Sequence, residues 1–223
     1  MWKKQEVMNK LCGKRTYLAG AMDRVKDGGV GWRNNISPFL VEMGVVVLDP
    51  CKKEEFMSHA IESDQDRKRR HNYKVTSNYD SLCSEIKEIR NTDLRAVDVV
   101  DFLIVNIDTE VHACGTYEEL FCANRQKKPV LIHCGQGKKG VPDWLFGTVP
   151  HELIFSDWLA LKSYLIDINS GKDDRKFNRW TLFDLGEKTL TSMLKAAEYD
   201  SEMGDIVELW LKKRRLDKRN SNV

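Results

Sequence analysis

Three residues of this chain carry groups whose types and placement could do chemistry together: Tyr17, Asp93 and Glu119. Tyr17 falls in the run Thr16-Tyr17-Leu18-Ala19-Gly20, and its hydroxyl is expected at the end of a first strand. Asp93 comes late in a helical stretch, and Glu119 follows Gly115-Thr116, where a new helix is expected to begin. A glutamate in the first turn of a helix is favoured as an anion by the helix dipole, which predicts a lowered pKa. An anionic carboxylate at a strand end is what attack on an anomeric carbon requires. Each residue also has an ordinary reading. Thr116-Tyr117-Glu118-Glu119 has the form of a capping box, in which Glu119 ties down the start of its own helix. Asp93 reads equally as an exposed helix residue, and Tyr17 as a core aromatic with a satisfied hydroxyl. Spacing alone leaves the function open.

The elements that must position these groups are legible as alternating strands and helices. The strand at 16–20 opens a polar loop through Gly31. A helix follows with Trp32, Ile36, Phe39, Leu40 and Met43 at helical spacing, and a short buried strand is expected at 45–48. Leu82, Ile86, Ile89, Leu94 and Val97 mark a second amphipathic helix. Strands at 99–106, 129–134 and 152–155, with helices to about Arg125 and over 157–168, complete the pattern. Short apolar strands separated by helices predict a doubly wound α/β fold with a parallel sheet of about five strands. In such a sheet the ligand lies beyond the carboxyl ends of the strands, which brings the loops after Gly20, Asn106 and Gly135 around one crevice. Residues 1–170 are expected to form this domain. Residues 171–223 are expected to form a helical extension, with a linker near 172–176, two amphipathic helices over 181–216 and a basic tail.

Composition narrows the class. With 223 residues, 41% hydrophobic and 31% charged, the chain can build a full core. A net charge of +2 does not by itself point to a nucleic-acid partner. Residues 51–76, with Arg67-Lys68-Arg69-Arg70 at their centre, read as a surface insertion whose basic run is solvated. The six cysteines show no paired spacing and read as reduced thiols; Cys114, beside the proposed site, is a candidate reactive thiol. No metal site is expected, because the five histidines lack ligand spacing, and His133 reads as a packed strand residue. The N-terminus shows no signal-peptide pattern, and no stretch reaches the roughly 18 apolar residues of a membrane span. A cytoplasmic protein without cofactor or membrane partner is expected.

Four pieces of the sequence together resemble the nucleoside 2-deoxyribosyltransferase family. They are Tyr17-Leu18-Ala19-Gly20, Asn91-Thr92-Asp93 leading into Val97-Asp98-Val99-Val100-Asp101-Phe102, Gly115-Thr116-Tyr117-Glu118-Glu119-Leu120, and Lys128-Pro129-Val130. They stand in the family's order over about residues 15 to 166. The resemblance implies a flavodoxin-like sheet and a retaining double displacement through a glycosyl-enzyme intermediate. It implies Glu119 as nucleophile, Tyr17 as the hydroxyl that orients it, and Asp93 as the residue that contacts the base and helps protonate the departing nitrogen. It also implies a homo-oligomer.

One position departs from the pattern. Family transferases place an aspartate two residues before the glycine of the Gly-Thr pair, where it binds the sugar 5′-hydroxyl; here that residue is Ala113. Related nucleotide N-hydrolases carry a small residue there, and the missing negative charge permits a 5′-phosphate. The helix start at Gly115 suits an anion, and Arg24, Lys26, Arg33 and His112 are candidate sources of positive charge. Gly20, Asp23, Arg33, Asn106, Ala113, Gly115 and Thr116 are the candidate substrate-binding residues. The glycine-containing loop 21–31 reads as a cover over the base or as a plain flexible loop. Trp144-Leu145-Phe146 reads as a pocket wall, a subunit contact or core. Two further functional readings stay open: a non-catalytic nucleotide-binding module on the same fold, and a nucleic-acid-associated protein using its basic segments.

Overall fold

The computed structural model describes residues 9–55, 64–172 and 180. The chain divides into two units, Met1–Arg179 and Trp180–Val223, and the sheet lies in the first. The expected helices over 181–216, the basic tail, the linker beyond Lys172 and the N-terminal octet lie outside the described residues.

Strand β1 (Arg15–Gly20) leads through a loop to α1 (Val30–Glu42) and β2 (Val46–Leu48). A short 3-10 segment (Pro50–Glu55) follows, then α2 (Asp64–Val75), α3 (Tyr79–Val99) and β3 (Phe102–Ile107). The chain continues through α4 (Cys114–Arg125), β4 (Val130–Cys134), the single turn α5 (Asp143–Phe146), β5 (Ile154–Phe155) and α6 (Trp158–Asn169). The five strands form one parallel sheet in the order β2-β1-β3-β4-β5. This is the flavodoxin-like order, and its winding reverses between β1 and β3. The expected α/β fold is therefore present.

The sheet is covered on both faces, which is why its strands read as nearly continuous apolar runs. On one face Tyr17, Ala19, Leu103, Val105 and Ile132 pack with Ala96 and Val97 of α3 and Leu120 and Ala123 of α4. The alternate residues Leu18, Phe102, Ile104 and Leu131 point to the other face and are fully buried. Each such side chain stabilises the fold by about 1.5–3 kcal/mol through burial. At the C-terminal end, Gly20 lies opposite Asn106 in the register. A Cβ on Gly20 would stand 2.8 Å from Cζ2 of Trp32 and 3.2 Å from the Asn106 carbonyl oxygen, so the close approach of β1, β3 and α1 requires glycine there.

The charged stretch 51–76 differs from its expected solvated character. Lys53 and Arg70 are buried. Arg69 grips the Glu85 carboxylate through Nε and Nη2 at 3.1 and 3.0 Å, and Arg70 Nη1 donates to the same group at 3.1 Å, so these arginines tie α2 to α3. Arg67 shares the inward face of α2 with Arg70, three residues on, and its guanidinium lies against Gly28. Helical spacing turned part of the basic run inward, where acidic partners hold it. Among the described residues no helix is long and apolar enough to cross a membrane, and no group of three or more His, Cys, Asp or Glu side chains is placed to hold a metal ion.

Candidate active site

The site is assembled at the switch between β1 and β3 from β1, α3, α4, α1 and the 3-10 segment after β2. Tyr17 is the third of six residues in β1, so it lies inside the strand and not at its end as expected. Its ring belongs to the core beneath α3 and α4. The length of the tyrosine side chain carries the hydroxyl out of that core to Glu119, to whose Oε1 it donates at 2.9 Å.

Glu119 does not cap its helix. The helix begins at Cys114 with Ala113 as N-cap, and no side chain caps it. Thr116 is thereby already inside the first turn, and Glu119, as the sixth residue, lies in the second turn. It therefore sits beyond the N-terminal N–H groups, and its carboxyl turns to Tyr17. The expected lowering of its pKa by the helix dipole is corrected as well. Burial first, and then the negative charge of Asp93, raise the Glu119 carboxyl to about 8, against the opposing pull of the Tyr17 hydrogen bond, Arg33 and Lys53. Burial also raises the Tyr17 phenol well above its ordinary value, helped by Glu119 and Asp93. Tyr17 is thus a fixed hydrogen-bond donor. Glu119 keeps 8% of its surface exposed, so the group is enclosed without being sealed.

Asp93 projects from α3, with 16% of its side chain exposed, and meets Lys53 Nζ at 2.9 Å. The Lys53 side chain is only 1% exposed. The contact is an ion pair without hydrogen-bond alignment, and the ammonium has no aligned acceptor among the described residues. Sequence reasoning missed Lys53. In Lys52-Lys53-Glu54-Glu55 it looks like any surface lysine; the non-helical backbone of Lys52 (φ −128°, ψ 42°) interrupts the 3-10 segment just before it.

Arg33 is fully buried. Its Nε donates to the Leu18 carbonyl at 3.1 Å, Nη1 to Gly29 at 2.8 Å and Nη2 to Gly20 at 2.9 Å, and Asp49 stands 3.5 Å from Nε. The guanidinium is therefore committed to backbone, and it holds the end of β1 against the loop that follows. Asp27 closes that loop by accepting from Gly29 N and Gly31 N at 2.9 and 2.8 Å. Gly29 has φ +77°, and a Cβ there would collide with the Ala21 carbonyl and the Arg33 guanidinium. Between Asp27 and Arg33, then, the loop is tied down.

The remaining candidates divide by position. Ala113, Gly115 and Thr116 form the start of α4; a Cβ on Gly115 would meet nothing within 4 Å, so this helix start faces open space. Asp23 is exposed in the loop after β1. Asn106 follows Val105 and so points to the opposite face from Tyr17 and Leu103. There it lies 2.7 Å from Nδ1 of His133, whose ring stacks on Trp158 at 4.0 Å. Trp158 in turn stacks on Trp32 at 5.4 Å. His133 is the packed histidine expected, and burial lowers its pKa. In α5, Leu145 is buried while Trp144 and Phe146 are exposed.

No family model and no curated protein matches the chain. Solved structures similar to it include a 2-deoxyribosyltransferase from Bacillus psychrosaccharolyticus, at TM-score 0.46 and 16% identity over 67% of this chain and 91% of that one. A 2-desoxiribosyltransferase from Leishmania mexicana is similar at TM-score 0.43 and 20% identity, over 69% of this chain and 97% of that one. A CMP N-glycosidase from Clostridium botulinum is similar at TM-score 0.41 and 19% identity, over 68% of this chain and 97% of that one.

Proposed function

We propose that this chain breaks the N-glycosidic bond of a nucleoside or nucleoside 5′-monophosphate, with Glu119 forming a covalent bond to the sugar. The observation that carries the reading is the buried hydrogen bond from Tyr17 to Glu119, made beside the negative charge of Asp93. These are the three residues that the family resemblance pairs for this chemistry. A capping glutamate would have no use for either neighbour.

Burial of Glu119 beside the negative charge of Asp93 favours a proton on Glu119. At rest that proton is on Glu119, the group raised to about 8. In the reactive arrangement it is on Asp93. Glu119 is then an anion that attacks C1′, the C1′–N bond breaks with its electron pair passing to the base, and the proton on Asp93 follows to the ring nitrogen. Asp93, left as an anion, takes a proton from water or from a second base, which bonds to C1′ as the C1′–Glu119 bond breaks; Glu119 returns as a carboxylate and Asp93 regains its proton. Hydrolysis and transfer differ only in that acceptor. Tyr17 donates to Glu119 throughout, which fixes the carboxyl and disperses its charge. The uncapped start of α4 at Ala113 and Gly115 offers backbone N–H groups to the 5′ end of the substrate, as hydroxyl or phosphate.

The test is a chromatographic screen of nucleosides and their 5′-monophosphates for free base, with and without an acceptor base, on wild type and Glu119→Gln. Release by wild type that Glu119→Gln abolishes supports the reading; equal release by both overturns it. Nucleotide binding without release from any member of the panel would favour a binding module instead.

A further inference from the structure

The reaction proposed above accounts for Tyr17, Asp93 and Glu119 but gives no task to Lys53. A buried ammonium without aligned hydrogen bonds is costly, and such groups are normally satisfied. Among the described residues Lys53 has its ion pair with Asp93 and no hydrogen bond, and that contact is misaligned for one. Its N–H groups are thus available at a point where both Asp93 and Glu119 feel its charge.

We propose that Lys53 is a catalytic residue that takes up the negative charge of the departing base, and that the site accordingly selects bases in which a carbonyl oxygen is conjugated with the glycosidic nitrogen. The inference rests on the reaction proposed above. While Asp93 is an anion, Lys53 is its counter-charge. When the proton passes to Asp93 the negative charge passes to Glu119, which also lies within reach of the Lys53 charge; as Glu119 bonds to C1′ that charge is used up and the ammonium is left uncompensated. At that moment the C1′–N bond breaks and its electron pair enters the base. In uracil or hypoxanthine the charge spreads to a carbonyl oxygen, which accepts a hydrogen bond from Lys53. Lys53 keeps its proton throughout, and Asp93 supplies the one that ends on the ring nitrogen. The cation is therefore neutralised in the ground state and exposed in the transition state, the condition under which a charge accelerates a reaction. Adenine has no carbonyl oxygen to receive the charge.

The experiment compares Lys53→Met and Lys53→Arg with wild type on 2′-deoxyuridine, 5-fluoro-2′-deoxyuridine, 2′-deoxyinosine and 2′-deoxyadenosine and on their 5′-monophosphates. Fluorine makes the uracil a better leaving group with almost no change of shape, so the pair compares charge stabilisation on one protein. Wild type is expected to release uracil or hypoxanthine in preference to adenine. Lys53→Met is expected to lose about 100-fold in kcat/KM on the preferred unfluorinated uracil or hypoxanthine substrate, the scale of one transition-state donor. Where uracil is a substrate, the 5-fluoro compound should lose markedly less, and Lys53→Arg should recover part of the rate. Because the comparison is a ratio on the same protein, partial unfolding of a variant cancels. Equal losses on the fluorinated and unfluorinated substrates, no loss in Lys53→Met, or preference for adenine overturns the role of Lys53 while leaving the reaction standing. No base release by wild type from any substrate overturns the reaction, and this inference with it.

Discussion

The Tyr17 hydroxyl and the Glu119 carboxyl meet at 2.9 Å although 102 residues of chain separate them. One is carried by β1 and the other by α4, so the contact exists only where the sheet brings the two elements together. Its effect on Glu119 opposes that of burial: the phenol stabilises the anion that the apolar surroundings disfavour. Losing it has a definite sign.

Tyr17→Phe should keep the fold, because the ring remains in the core. A hydrogen bond to a charged group contributes about 1.5–3 kcal/mol, so base release should fall about 10- to 100-fold. Without the donor, the Glu119 pKa moves further up. An unchanged pH–rate profile in a fully folded variant would count against the contact.

The pH dependence of kcat/KM tests the shared proton. Below about 8 the Glu119 carboxyl holds its proton, and above it that proton is lost. Base release should therefore fall as pH rises through about 8, and Tyr17→Phe should move the fall to higher pH. A rate that rises through this range would mean that the proton must leave the site before reaction.

Glu119→Gln should stabilise the protein while removing its activity. The folded-state pKa of Glu119 is raised above its ordinary 4.5 to about 8, so the folded protein holds a proton that the unfolded chain has released between those values. The stability from this group is full below about 4.5 and lost as pH rises toward 8. Glutamine carries no such loss. The melting temperature of Glu119→Gln should exceed that of wild type by at least about 3 °C at pH 8, and by little at pH 5. A difference independent of pH would contradict the burial of an ionisable carboxyl here.

Arg33→Lys should be damaging despite keeping the charge. A lysine ammonium cannot span the carbonyls of Leu18, Gly20 and Gly29 as the planar guanidinium does. Denaturant unfolding should show a loss of about 3 kcal/mol or more, the scale of a broken buried charge network. A loss below about 0.5 kcal/mol would mean that the clamp carries little.

How far the sequence discloses this molecule depends on the kind of signal. Strands β1, β3 and β4 were readable because burial on both faces demands unbroken apolar runs such as Phe102-Leu103-Ile104-Val105. The α1 and α3 helices were readable from spacing. The start of α4 was not. Thr116 has the form of a cap, but the backbone turns into the helix at Cys114 with uncapped Ala113 before it, and that shift of two to three residues moves Glu119 from its own helix end to Tyr17. Lys53 and Arg33 were illegible for a different reason. A lysine in a charged stretch and an arginine on a helix carry no mark of burial, which arises only when Asp93 and the carbonyls at the end of β1 arrive from elsewhere. Asn106 stands near the end of β3, yet strand alternation gives its side chain to His133 on the opposite face.

A covalent bond between the sugar and the Glu119 carboxylate can be seen by mass. Wild-type protein would be incubated with 2′-fluoro analogues of the nucleosides and 5′-monophosphates that it cleaves, in which the fluorine slows breakdown of a glycosyl intermediate, then digested and mapped by mass spectrometry. One added sugar is expected, on the peptide containing Glu119 and on that residue. A sugar on another residue, or base release with Glu119 never modified, would contradict a covalent role for Glu119.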